Sequence, residues 1–263
     1  MMQKIFETLV LALLVLPHAL AEQKPLSGDE CTHPAYKVHV FSKDPLVIYI
    51  SNFLTSQERK HLQENTKDTF AKSAVADESG DEDQRETRTP ESTSIVRDPI
   101  VRCIESRALD FQGFDTPRSH LEPLQLVRYG VGESYHLHPD WFEALSSSAA
   151  PGVGGNRVSS FYVDVAAENL TGGGTNFPIL NAPSDEKWCE FVDCDEPWDN
   201  GVTFRPVPGN AIFWQNLQED GSGDPATVHA GLPVTSGSKI GMNIWTRQGP
   251  LSKKLRGPDE GDS

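Results

Sequence analysis

The chain has 263 residues, enough for one large domain with a sizeable core. Lys and Arg total 23 against 38 Asp and Glu, a formal charge of −15, which argues against nucleic acid as the main partner because phosphate binding needs a basic face. The ordinary meaning of such charge is solubility, with steering of a basic peptide as the sharper alternative.

At the N-terminus, Lys4 precedes an apolar run, Leu9–Leu16, then Pro17 and Ala19-Leu20-Ala21. This is the layout of a signal peptide over residues 1–21. An uncleaved membrane anchor is the competing reading, but the stretch is short for a span and contains Glu7. The C-terminal PDEGDS is not a retention signal of the K-D-E-L type. The chain is therefore expected to enter the secretory pathway, for the endoplasmic reticulum lumen or secretion. An oxidising lumen turns the four cysteines into disulfide candidates, and four cysteines allow three complete pairings. Cys189 and Cys194 lie in the polar insert WCEFVDCDEPW and would close a short local loop, leaving Cys31–Cys103 to tie the mature N-terminus to a helix. A zinc site is disfavoured because no C-x-x-C pair exists; a free buried thiol at Cys103 is the plain alternative. Asn169-Leu170-Thr171 is the one N-x-S/T sequon, a glycosylation candidate on a loop.

In chain order, Leu46–Ser51 (LVIYIS) reads as a strand. Thr55-Ser56-Gln57-Glu58 is a capping box and predicts a helix over about Ser56–Asn65. Residues 74–89 are acidic and poor in apolar side chains, which predicts a mobile loop, either a solvated linker or a lid. Asp98-Pro99 supplies an N-cap and a first-turn proline, Ile100, Ile104, Ala108 and Phe111 recur at near-helical spacing, and Gly113 can end the helix. Residues 22–120 thus form a supporting region, and the polar stretch Asp115–Pro123 marks its boundary. Beyond it come short strands joined by turns: Leu124–Tyr129, Ser134–His138, Arg157–Val165, Asn210–Trp214, Thr227–His229 and Lys239–Trp245. Many short strands without helical period between them favour a sandwich or barrel over residues 121–247, followed by a polar tail, 248–263.

The chemistry is concentrated in Pro123–Phe142, PLQLVRYGVGESYHLHPDWF. His136, His138 and Asp140 alternate, and alternate residues of a strand share a face. Two imidazoles and a carboxylate converging on one point, with open positions opposite, form the facial triad of a non-haem Fe(II) oxygenase. Parity does not choose between His136 and His138, and a surface strand of mixed polar residues explains the motif equally well. The stretch HAGLPVTSGSKIGMNIWTR adds His229 and, ten residues on, Lys239 at the start of an apolar strand, a cation suited to the distal carboxylate of a bound keto acid.

The pieces VRYGVGESYHLHPDWF, GGGTNFP, PVPGNAIFWQNL and HAGLPVTSGSKIGMNIW occur in the order of the prolyl 4-hydroxylase family of Fe(II)- and 2-oxoglutarate-dependent dioxygenases, which the sequence resembles, in a secretory, fungal-like form, over about Leu121–Arg247 and more weakly from Phe41. The resemblance implies a mainly β, α+β fold: a double-stranded β-helix (jelly roll) core with N-terminal supporting helices. It implies that His138, Asp140 and His229 bind Fe(II), His138 being chosen over His136 because the family's tyrosine nine residues before the metal histidine matches Tyr129. Lys239, Tyr129 and Thr175 are then expected to hold 2-oxoglutarate, with Trp245 lining the pocket or simply packing in the core. The family commonly has Glu where Gly174 stands, which puts that residue's loop contact in doubt. Arg88-Thr89 resembles a short basic motif that follows the family's mobile loop, with Pro90 where Ser is usual; Arg88, Tyr135, His136 and Trp141 become candidates for substrate contact.

The implied reaction consumes O2 and 2-oxoglutarate, releases succinate and CO2, and hydroxylates an unactivated C–H bond, with L-ascorbate rescuing uncoupled turnover. Family relatives that halogenate lack the carboxylate supplied here by Asp140. The implied substrate is a prolyl residue in an extended peptide, and Tyr135, Trp141 and Phe142 would suit a polyproline II ligand. Two other classes stay open: an oxygenase acting on another substrate such as a small metabolite, and a non-catalytic binding module on the same fold.

Overall fold

The computed structural model describes residues 31–72, 90–113, 115–181, 185–195 and 200–257. The N-terminal apolar run, the acidic stretch 74–89 and Arg88 lie outside them. Among the described residues, strands β1 (Lys37–Lys43), β2 (Leu46–Ser51), β3 (Ala71–Lys72), β4 (Glu91–Ser94), β5 (Gln125–Tyr129), β6 (Tyr135–His138), β7 (Arg157–Gly172), β8 (Thr175–Phe177), β9 (Val202–Phe204), β10 (Ala211–Gln215), β11 (His229–Gly231) and β12 (Val234–Arg247) form two sheets. The large sheet has the order β1-β2-β10-β7-β12-β5-β4-β3 and the small one β6-β11-β8-β9. Every named pairing is antiparallel, giving the jelly roll that the sequence implied.

The central strands explain the layering. Phe161, Val163 and Val165 of β7 point to one face, Ser160, Tyr162 and Asp164 to the other, because side chains alternate along a strand. The first set joins Phe213, Met242 and Ile244 in a core shared with two helices, α1 (Ser56–Thr66) and α2 (Pro99–Gln112), through Leu62, Val101 and Ile104. On the second face, Tyr49, Tyr162, Ile212 and Trp214 meet Phe177 and Phe204 of the small sheet. Buried on both faces, β7 lacks the two-residue polar alternation of a half-exposed strand. Its burial continues to Ala166, and its pairing with β12 extends it to Gly172, beyond the stretch read from the sequence.

Local chemistry sets the helix ends as predicted. Thr55 accepts from Glu58 N while Glu58 reaches back to Thr55 N at 2.8 Å, so α1 carries its capping box and ends one residue later than expected, at Thr66. Asp98 accepts from Val101 N, Pro99 opens α2, and Gly113 closes it at φ 71°.

Both disulfides pair as the sequence suggested. Cys31–Cys103 fixes the segment before β1 to α2. Cys189–Cys194 closes an insert whose Trp188 meets Phe41 at 4.9 Å and whose Phe191 meets Tyr49 at 4.5 Å. This insert packs against β1, an edge strand of the large sheet, and Val192 bridges to Phe204 on β9, an edge strand of the small one.

Several elements escaped the sequence. β1 is half-exposed with weak alternation, and β8 and β9 have three residues each, too few to show a period. Residues 225–227 are a 3-10 turn, so the strand expected over Thr227–His229 begins at His229. The segment read as a polar tail folds back: Leu251 is buried and its N–H donates to Ser119 O at 2.8 Å, and a short helix, α3 (Lys253–Arg256), follows. No helix among the described residues is long and apolar enough to cross a membrane.

Candidate active site

A cavity of about 570 Å³ opens between the sheets, with β6 and β11 on one side and β4, β5 and β12 on the other. His138 and His229 occupy directly paired positions on β6 and β11, so their side chains stand on the same face of adjacent strands, ring centroids 4.4 Å apart. Pro139, which lacks an N–H, follows the last residue of β6, and Asp140 lies just beyond. One ligand atom from each of His138, Asp140 and His229 lies within 4.8 Å of the other two.

Hydrogen bonds select the presented atoms. His138 Nδ1 lies 2.6 Å from His136 O and His229 Nδ1 lies 2.9 Å from Thr227 O. A carbonyl only accepts, so both Nδ1 atoms carry hydrogen and each Nε2 lone pair is free for a metal. Burial, reinforced by the neighbouring His229, lowers the His138 pKa to about 4, which keeps the imidazole neutral at physiological pH. Asp140 is buried, and its Oδ2 accepts from Ser160 Oγ at 2.6 Å and from Trp245 Nε1 at 2.9 Å. Its Oδ1 stays on the metal side, 3.9 Å from His138 Nε2. Burial alone would raise the Asp140 pKa; His229, Arg157, His138 and the Ser160 hydrogen bond outweigh it and hold the carboxyl below its usual value. Two imidazoles that present Nε2 and one carboxylate, each fixed by an outer partner, suit Fe(II).

The inner wall is phenolic, with a buried cation behind it. Lys239 is 1% exposed, donates to Gly173 O, and places Nζ 4.7 Å from the Tyr129 ring centre and 5.2 Å from that of Tyr162. Tyr129, Tyr162 and buried Thr175 line the cavity beside it. Burial lowers the Lys239 pKa against the opposing pull of Asp164, and burial raises that of Asp164 against the pull of Lys239.

Gly174, where the resembling family commonly has Glu, is forced by packing. A Cβ there would lie 2.5 Å from Thr203 Cγ2 and 3.0 Å from Phe204 O. The glycine lets β8 and β9 close on each other, and no side chain at 174 reaches the cavity.

The other candidates divide. Tyr135 lines the cavity, with its ring centroid 4.2 Å from that of His138. His136 is exposed and contributes to the site through its carbonyl. Trp141 lies flat on Gly223 and donates to Asp224 O at 3.2 Å, bracing the turn before His229. Trp245 is both wall and brace, since it lines the cavity and holds Asp140. Asn169 is exposed at the far end of β7. Sequence reading missed Ser160 and Arg157. The Arg157 guanidinium stacks 3.7 Å above the Trp245 ring and pairs with Glu122 at 2.8 Å. Both residues come from β7, and no local motif marks them; only the sheet pairing brings them to Asp140.

Residues 124–247 match the model of the 2OG-Fe(II) oxygenase superfamily. The chain is 31% identical over 236 residues to prolyl 4-hydroxylase 5 of Arabidopsis thaliana, covering 88% of this chain and 78% of that one. It is 33% identical over 227 residues to prolyl 4-hydroxylase 2 of the same plant, covering 83% and 73%. Its fold is similar to that of a viral collagen prolyl hydroxylase from Paramecium bursaria Chlorella virus-1, solved with 2OG, at TM-score 0.52 and 23% identity over 76% of this chain and 94% of that one. With an iron-type triad and a buried lysine in the matched segment, and identity that extends well beyond it, the chain belongs to the prolyl 4-hydroxylase family of Fe(II)- and 2-oxoglutarate-dependent dioxygenases.

Proposed function

We propose that this enzyme hydroxylates prolyl residues in an extended peptide within the secretory pathway. The observation that carries the reading is the meeting of His138, Asp140 and His229 at the wall of an open cavity, with Lys239 buried behind the Tyr129 and Tyr162 rings that line it, in a chain about one-third identical to prolyl 4-hydroxylases. His138, Asp140 and His229 hold Fe(II); Lys239, Tyr129 and Thr175 hold 2-oxoglutarate. When bound, these two supply oxidative decarboxylation to succinate and CO2 coupled to hydroxylation of a C–H bond. The protein positions and excludes. Ser160 and Trp245 fix Asp140 so that one oxygen faces the metal side. Lys239 supplies an ammonium for the distal carboxylate, and the buried phenol of Tyr129 stays protonated as a donor because burial pushes its pKa up. Tyr135 walls the mouth, where an aromatic face suits a proline ring. The two disulfides support an oxidising compartment, and the exposed Asn169 sequon suits glycosylation there.

The test is succinate release by purified protein with Fe(II), 2-oxoglutarate and ascorbate, with and without poly-proline and mixed proline-containing peptides, beside His138→Ala. Peptide-stimulated succinate, a +16 Da peptide and a silent variant are expected. Turnover that no peptide stimulates would overturn the substrate reading and keep the oxygenase.

A further inference from the structure

The cavity that holds the triad extends across the inner face of β12, β5 and β4. Asn243, Gln125 and Ser94 line it together with His138, Asp140 and His229, and none of the three has a role above. Strand pairing sets them in one row: Asn243 stands opposite Gln125, and Gln125 opposite Ser94. Paired residues of adjacent antiparallel strands share a face, so the row crosses three strands on the cavity side. Its inner end lies one same-face position along β12 from Trp245, which holds Asp140. Its outer end, Ser94, is exposed.

The row carries amides and a hydroxyl but no charge. Asn243 Nδ2 donates to Gln125 Oε1 at 3.1 Å. This bond occupies the acceptor side of the Gln125 amide and leaves Nε2 without a partner among the described residues. A primary amide held in this way offers two N–H groups. A proline chain calls for such donors, because proline has no N–H and the carbonyls of a polyproline II helix make no internal hydrogen bonds. The dimensions agree as well. Three adjacent strands span about 9.6 Å from the first to the third, and one polyproline II turn advances about 9.3 Å. A peptide crossing these strands lays one turn along the row.

We propose that Asn243, Gln125 and Ser94 form a substrate subsite that seats one polyproline turn beside the reacting proline. Gln125 Nε2 and the Ser94 hydroxyl donate to main-chain carbonyls of that turn, and Asn243 positions Gln125. The inference rests on the reading that the substrate is a prolyl peptide. It adds that the enzyme grips the main chain beyond the residue that reacts, so proline content counts for more than flanking side chains.

The experiment compares triproline and hexaproline, both acetylated and amidated, as substrates of wild type, Gln125→Glu and Ser94→Ala. Gln125→Glu keeps an oxygen for Asn243 but replaces the donor with an acceptor. It is expected to raise the hexaproline KM roughly tenfold, and Ser94→Ala about threefold, as for lost neutral hydrogen bonds. Both should leave kcat, the triproline KM and the 2-oxoglutarate KM within about twofold. Fluorescence anisotropy of labelled hexaproline, with Fe(II)- and 2-oxoglutarate-loaded protein under anaerobic conditions, should show the same ranking in Kd. Equal effects on the two peptides, or none on hexaproline, would overturn the subsite. A raised 2-oxoglutarate KM in Gln125→Glu would place the row at the cosubstrate and overturn it too. A wild-type protein that turns over 2-oxoglutarate but neither binds nor hydroxylates either peptide would overturn the prolyl reading itself, and the subsite with it.

Discussion

On the helix side of the large sheet, Arg107 meets Glu58 at 2.6 Å and Arg97 meets Glu105 at 2.5 Å, all four side chains buried. On the cavity side of the same sheet, Lys239 is equally buried but donates to a neutral carbonyl and feels Asp164 only through space. The first cluster is closed in charge, each arginine meeting a carboxylate, and Arg107 also donates to Phe53 O at 2.8 Å, so α1, α2 and the chain after β2 are locked in one register. The second is open in charge: the Lys239 ammonium has no carboxylate in contact among the described residues. A buried charge that locks structure has its partner on the chain, and a buried charge that waits for a ligand does not. Burial alone therefore does not separate the two uses; a contacting opposite charge does.

That contrast breaks first where the closed cluster is opened. Glu58→Ala leaves Arg107 buried without its carboxylate, and about 3–5 kcal/mol of stability is expected to go. Replacing both with apolar residues, Glu58→Leu with Arg107→Leu, is expected to recover most of it. Urea denaturation measures both, and a single variant as stable as wild type would show that the pair locks nothing. At the open cluster the cost should fall on ligand rather than fold. Lys239→Ala is expected to raise the 2-oxoglutarate Kd by about 10–100-fold, the worth of a charge-assisted hydrogen bond, without loss of unfolding free energy. The same pocket gives a pH dependence. Burial lowers the Lys239 pKa, so the ammonium proposed to bind the carboxylate is lost sooner as pH rises, and buried Asp164 becomes a competing anion over the same direction. The apparent KM for 2-oxoglutarate should therefore climb on the alkaline side of neutrality, while a pH-independent KM would mean that Lys239 is not the cationic partner.

The parts legible in the sequence are those written in short windows. The capping box at Thr55 and Glu58, the Asp98-Pro99 start and the Gly113 stop of α2 are each contained within four residues. The spacing of His138 and Asp140 is just as local, which is why two of the three triad residues stood out. Choosing His138 over His136 needed the resemblance; in the structure the choice follows from pairing, since His138 and not His136 stands opposite His229. Contact with Asp140 was not legible for Ser160, Arg157 or Trp245, although Trp245 itself was expected at the pocket. These three lie 17 to 105 positions away from Asp140 and arrive through the β7–β12 ladder. Tyr162 was hidden further, inside a strand buried on both faces, where nothing in the sequence separates a wall residue from a core residue.

Between the two clusters lies a set of neutral braces whose loss should cost less. Trp245→Phe keeps the ring but removes the indole N–H that holds Asp140 Oδ2. Outer partners of metal ligands are worth roughly 10–100-fold in metal affinity. The expected result is weaker Fe(II) binding by about tenfold, with the 2-oxoglutarate affinity of the iron-saturated protein changed little. Equal loss of both would make Trp245 a wall residue rather than a brace.

The smallest effect is expected at a closed pair that titrates. His61 Nε2 lies 2.5 Å from Asp98 Oδ2, so α1 is pinned to the N-cap of α2. The hydrogen bond to Asp98 raises the His61 pKa above 6.5 despite partial burial. Burial would raise the Asp98 pKa, but the His61 hydrogen bond and the backbone N–H of Val101 hold it below 3.8. A raised histidine pKa gives stability that is fully present below 6.5 and is lost as pH climbs through the folded value; a lowered aspartate pKa gives stability that is present above 3.8 and is lost as pH falls through its own folded value. The pair therefore contributes most between these two reference values. His61→Gln can still hydrogen-bond Asp98 but cannot carry charge, so it should cost about 1 kcal/mol near pH 5.5 and clearly less near pH 8.5. Unfolding free energies of both proteins at the two pH values test this: a cost that does not change with pH would mean that the contact is a neutral hydrogen bond, and that α2 is held by Pro99, the Asp98 cap and the buried arginine pairs alone.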